Sequence, residues 1–266
     1  MKKVGKVLNL TGGGVGIRLH EIAVIHSPNK TVYKSGDTFD PTGMAVIAKF
    51  SYGITMEVSG CTVTPSVITD DVTEVIVSYT DRHVTRTVKI PITVNAVLSS
   101  LRIAGNPTKT AYRYLETFNP AGMTVKAVMS NGTEKTITNY SCSTGAFTTI
   151  GSQKVTVSYT EDGITKTAEV PVTVSAIPVA PPTQSGTLTY NGGAQSPAWS
   201  GYDSVKMTIS GNTSKTDAGS YAATATLKYG YAWTDGSTGT KNIPWTIARA
   251  AIAVPTQSGT LTYNGN

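Results

Sequence analysis

The chain has 266 residues and a formal net charge of +6, yet only 14 % of its residues are charged. The positive charge is scattered, apart from Lys2, Lys3 and Lys6. A nucleic-acid binder concentrates charge on one face or run, so that class is excluded. Abundant Thr, Val, Ser and Gly favour strands and turns over helices. Two cysteines, Cys61 and Cys142, cannot make a disulfide framework and read as buried small apolar residues.

The N-terminus, MKKVGKVLNLTGGGVGIRL, begins like a secretory signal. Such signals need an apolar run of roughly 7–15 residues, and Asn9, Thr11 and the glycines interrupt it. The expectation is a flexible arm over residues 1–20, with no export signal and no membrane span anywhere. The glycines at 12–14 and 16 lack the Gly-Lys-Ser/Thr that would make them a phosphate loop.

Two copies of one pattern follow. Residues 31–53 (TVYKSGDTFDPTGMAVIAKFSYG) and 110–132 (TAYRYLETFNPAGMTVKAVMSNG) share eleven of 23 positions at an offset of 79. Residues 75–94 and 155–174 share ten of 20 at an offset of 80. Repetition at a fixed period marks an array of small modules. Met44, Val46, Ala48 and Phe50 alternate with other residues, which predicts a strand with one buried face. Ser51-Tyr52-Gly53 and Ser130-Asn131-Gly132 are the turns after it, and Asn-Gly suits positive φ at both residues.

Val75, Val77 and Tyr79 face inward on the next strand, with Val155, Val157 and Tyr159 as counterparts. Tight turns follow at Asp81-Arg82-His83 and Glu161-Asp162-Gly163, with His83 as the residue expected at positive φ. The return strands carry Val88, Ile90, Ile92 and Val94, and Ala168, Val170, Val172 and Val174. Pro91 and Pro171 cannot donate to a ladder, so an edge or bulge is expected there.

A different module spans 177–249. Asp217-Ala218-Gly219-Ser220-Tyr221 is similar to the tyrosine corner of immunoglobulin sandwiches, with Ala223 where antibody domains place a cysteine. Ile243, Trp245 and Ile247 alternate on a closing strand. Residues 254–266 (VPTQSGTLTYNGN) then copy 181–193 (PPTQSGTLTYNGG) at an offset of 73. They read as the first strand of a truncated fourth module, 250–266.

The first two repeats, taken as 21–96 and 97–176, resemble bacterial immunoglobulin-like domains of surface proteins and phage virion proteins. Tyr33/Tyr112, Phe39/Phe118, Pro41/Pro120 and Gly43/Gly122 carry the match, with the VSYT and PxTV strands. The third module resembles a second class of Ig-like domain, through its DAGxY segment and W-T-I strand. The resemblance implies an all-β fold of tandem Ig-like β-sandwiches, no catalytic residues and a display or adhesion role. It also suggests a phage structural accessory protein, held to other virion proteins through its basic arm. A bacterial surface adhesin or stalk, or the accessory part of a larger secreted enzyme, are the alternatives.

Candidate chemistry is thin. His20, His26 and His83 lack the spacing of a metal pair on one element. Asp70-Asp71 and Glu161-Asp162 supply too few oxygens for calcium and read as solvated turn acids. Trp199, Tyr202, Tyr231 and Trp233 are the candidates for weak stacking on sugars, Trp233 being expected near the surface beside Asp235-Gly236. Core packing is their default alternative, and Trp245 is assigned to the core. Neither a catalytic residue nor a cofactor or metal site is expected. The strand at 88–94 and that near 260–263 are candidate edges for homo-oligomerisation.

Overall fold

In a computed structural model, residues 16–143 and 145–265 are described. The glycines at 12–14, the three N-terminal lysines and most of the expected arm lie outside these residues. Among the described residues, every regular element is a strand, except for one 3-10 turn at Ser51–Gly53. Alternation predicts the strands, and their arrangement is the tandem Ig-like β-sandwich fold that the resemblance implies.

The chain forms two compact units. Of the described residues, one holds those up to Ala104 with Thr124–Ser141 and Ser158–Ala168; the other holds Gly105–Met123, Cys142–Val157 and those from Glu169 onward. The second repeat contributes to both.

In the first unit, Leu19–His26, Ala45–Phe50 and Thr55–Val58 form an antiparallel sheet in that order. Thr62–Thr64, Glu74–Asp81 and Val84–Pro91 form a second. Val46, Ala48, Val75, Val77 and Ile90 meet in one core with Leu19, Tyr33 and Ile68. Strand alternation thus places the expected residues inside. The second repeat adds Leu98–Gly105, Thr124–Met129 and Glu134–Ile137, with Thr124–Met129 central.

The hairpin turns differ in detail from expectation. Positive φ falls on Arg82 at 51°, not on His83. In the second repeat Asp162 and Gly163 both take it. Only Gly132 of the Asn131-Gly132 pair is left-handed. Asn131 serves the turn with its side chain instead, accepting from Thr133 N at 3.0 Å and Thr133 Oγ1 at 2.7 Å.

Pro91 is the last residue of an edge strand, paired with Glu74. Beyond it the chain changes partner, and Thr93–Asn95 runs parallel to Val32–Lys34. In the second repeat Ile164–Ser175 is continuous and has neighbours on both sides. Pro171 is therefore not on an edge strand. The parallel pairing with Ala111–Arg113 covers only Thr173–Ser175 and starts past the proline.

In the second unit, the third module has a four-stranded sheet. Its order is Leu188–Thr189, Lys241–Ala248, Gly219–Leu227, Met207–Gly211. Ile243, Trp245 and Ile247 are all buried, as their alternation predicts. The Tyr221 hydroxyl donates to the Asp217 carbonyl at 2.7 Å, closing the tyrosine corner, and Ala223 is fully buried.

Residues 254–265 form no strand, and Leu261 and Tyr263 are about 90 % exposed. Their counterparts at 183–185 and 188–189 pair with Ala198–Ser200 and Lys241–Ala248, partners that belong to the same module. A segment without such partners cannot hide its apolar side chains.

Candidate functional site

The chemistry-bearing residues are dispersed, and most have structural employment. Trp233, expected near the surface, is 1 % exposed, with its indole N–H donating to the Gly239 carbonyl at 2.6 Å. Tyr231 is buried and Trp199 half-buried. Burial of the indole ring outweighs the turn beside it, because its one polar atom finds a partner inside. Of the four aromatic candidates only Tyr202 stays exposed. The cysteines are half-buried instead of buried, and free; partial burial pushes both thiols up.

Tyr33 and Tyr112 are the second surprise. Both are buried and both tie their hydroxyls to the backbone. Tyr33 donates to the Lys30 carbonyl at 2.9 Å and accepts from Asp40 N at 3.2 Å. Tyr112 repeats this with Lys109 and Asn119 at 2.9 and 3.1 Å. Outside each ring, a lysine covers its face and pairs with the next acid: Lys30 with Asp37, Lys109 with Glu116. The lysine holds each carboxyl below its usual range.

The acids weighed as calcium ligands do something else. Asp70 is half-buried and accepts from Ser35 Oγ at 2.8 Å and Ser130 Oγ at 2.9 Å. Ser35 and Asp70 belong to the first repeat, Ser130 to the second. The Ser130 hydroxyl also accepts from Val97 N at 2.9 Å. Asp162, on the hairpin of the second repeat, pairs with Lys34 of the first at 3.0 Å. Asp70 is thus a link between repeats instead of a solvated turn acid. Asp71 accepts from its neighbour Thr69, and Glu161 pairs with Lys135. Among the described residues no cluster of His, Cys, Asp and Glu gathers to hold a metal. His20 and His26 are both exposed on the strand Leu19–His26, and His83 is exposed in a hairpin turn.

The join to the third module is aromatic. The Tyr114 ring meets Tyr229 edge-on at 5.7 Å and Tyr231 at 6.2 Å. The Tyr229 hydroxyl accepts from Ile150 N at 3.0 Å. Gly230 lies under the Tyr114 ring at φ +94°, and a Cβ built there overlaps the ring.

One position underlies both joins. A short parallel pairing ends with a backbone N–H donated across it: Ser35 N to Asn95 O at 3.1 Å, Tyr114 N to Ser175 O at 2.8 Å. Ser35 and Tyr114 align in the sequence repeat at the offset of 79. The two residues differ, so they are not among the identical positions of the repeat.

These features fix a family. The model of the bacterial Ig-like domain (group 3) matches residues 26–94 and 105–174, more than half of the chain. The chain belongs to that family. No curated protein matches it in sequence. Among solved structures it is similar to domains 4–9 of the surface layer protein SbsC, at 16 % identity and a TM-score of 0.22, over 88 % of this chain and 48 % of that one. It thus spans about half of that structure. A titin I-band fragment, I67–I69, is matched at 11 % identity and a TM-score of 0.29, over 88 % of this chain and 100 % of the other. Extracellular domains 3–5 of Drosophila OTK are matched at 12 % and 0.21, over 89 % and 100 %. At such scores nothing about function passes from these chains to this one. No described helix is long and apolar enough to cross a membrane. Ig-like domains of this family are typical of surface and structural proteins.

Proposed function

We propose that this chain is a non-enzymatic structural protein that displays Ig-like modules on a phage particle. The modules are taken as 21–96, 97–176 and 177–249. The observation that carries the structural part is the use made of reactive side chains. Asp70, Asp162 and Tyr114 bind one module to the next and form no cleft. Links of this kind suit a spacer that holds its far end away from an anchor.

The basic segment with Lys2, Lys3 and Lys6 is the proposed anchor to other virion proteins. Weak contact with host glycans falls to exposed Tyr202, and many copies on one particle turn weak contacts into avidity. Deleting residues 1–15 tests the anchor while sparing Arg18, whose N–H and carbonyl pair with Ser51. Loss of incorporation into particles is the expected result, and normal incorporation overturns it. For the glycan contact, Tyr202→Ala is expected to abolish retention of multivalent particles on a mucin surface; unchanged retention removes Tyr202 from the reading.

A further inference from the structure

The position that makes both joins exists a third time. In the third module, Leu188–Thr189 runs parallel to Ile247–Ala248, and Tyr190 N donates to Ala248 O at 2.9 Å. Tyr190 is therefore the counterpart of Ser35 and Tyr114. Tyr114 is half-buried against the loop of the module that follows it, and Ser35 is half-buried with its hydroxyl on Asp70, whereas Tyr190 is 42 % exposed. It borders an open depression of about 510 Å³ that is lined also by Asp217, Ala218, Arg249 and Ile252.

The residue at this position matches what it meets. Ser35 reaches the Ser130 turn through Asp70, a polar join. Tyr114 meets the Tyr229-Gly230-Tyr231 loop, an aromatic join. Gly230 is what lets the loop backbone lie against the ring. A tyrosine at the third position calls for a loop of the second kind. Residues 254–265 carry the sequence of 181–192 almost unchanged, including Tyr263 at the place of Tyr190. Residues 254–265 thus repeat the opening of the third module, whose Tyr-Gly-Tyr lies at 229–231.

We propose that the Tyr190 face is the docking surface for a further module of the third kind, which seats its Tyr-Gly-Tyr loop on Tyr190 as Tyr229–Tyr231 seats on Tyr114. The contact is aromatic and carries no net charge, so it holds at high salt. The inference rests on the spacer reading above and names the partner of one more join.

The test uses the full chain extended after residue 266 by a second copy of residues 194–249. Cys61 and Cys142 are replaced by serine. Spin labels at Asn242→Cys and at its counterpart in the added module report the new join; labels at Ser152→Cys and Asn242→Cys report the existing one. A narrow distance distribution is expected at both joins. Tyr190→Ala is expected to broaden the new join at least twofold and leave the old one unchanged. Tyr114→Ala is expected to do the reverse, and Tyr202→Ala neither. Broadening with Tyr114→Ala but not with Tyr190→Ala overturns the inference and leaves the spacer reading standing. No broadening with either removes both. An added module that stays unfolded beside intact Tyr190, by near-UV circular dichroism, also overturns it, since the same residues fold at 181–249.

Discussion

The Ser130 hydroxyl donates to Oδ1 of Asp70 across the boundary between two repeats, while Ser35 donates to Oδ2. One carboxylate thereby satisfies a hydroxyl on each side. Asp70→Ala leaves both hydroxyls without their acceptor. The expected cost is about 1.5–3 kcal/mol by urea unfolding, the range for hydrogen bonds to a charged group. The larger effect is expected in the spread of distances between labels on the two repeats. An unchanged spread would reduce Asp70 to a local turn residue.

Tyr33→Phe removes the hydroxyl that donates to Lys30 O and accepts from Asp40 N. The ring still fills its place, so the loss is polar. About 1–2 kcal/mol of destabilisation is expected, because a half-buried N–H is left unpaired. Tyr112→Phe is expected to match it in the second repeat. Denaturant midpoints of the two variants check whether the motif is equivalent in both.

Gly230→Ala puts a methyl into the Tyr114 ring and strains a backbone at φ +94°. Loosening of the join between the second repeat and the third module is expected. The ring current that Tyr114 exerts on the 229–231 loop should change in NMR spectra. Pairing Gly230→Ala with Tyr114→Ala removes the clash but not the backbone strain. Partial recovery of stability in the double variant is the expected outcome, and strict additivity would count against the contact.

Glu134 accepts from Nε and Nη2 of Arg102 at 2.9 and 2.8 Å and from Lys126 at 2.9 Å. The Arg102 hydrogen bonds, then that of Lys126, lower its carboxyl from 4.5 to about 2. A carboxyl with a depressed native pKa contributes stability that is present above its unfolded value. That contribution is lost as pH falls from about 4.5 towards 2. Glu134→Gln is expected to flatten the stability profile in that window and leave its shape near neutrality unchanged. Unfolding measured from pH 2 to 7 decides it.

The repeated alternations of Val46/Ala48/Phe50, Val75/Val77 and Ile243/Trp245/Ile247 determined the fold class without any coordinates. A period of two has only one way to hide its apolar members, and the tyrosine corner needs only neighbours four residues apart. Tertiary structure decided the rest. Trp233 is in the core because a carbonyl six residues on meets its N–H, which no local pattern announces. His83 yields the left-handed position to Arg82 through the geometry of the whole hairpin. Asp70 and Ser130 are 60 residues apart in sequence, and Tyr114 and Tyr229 lie on different kinds of module. A sequence repeat reveals what modules have in common. The joins depend on where they differ, Ser35 against Tyr114, and only packing brings those differences face to face.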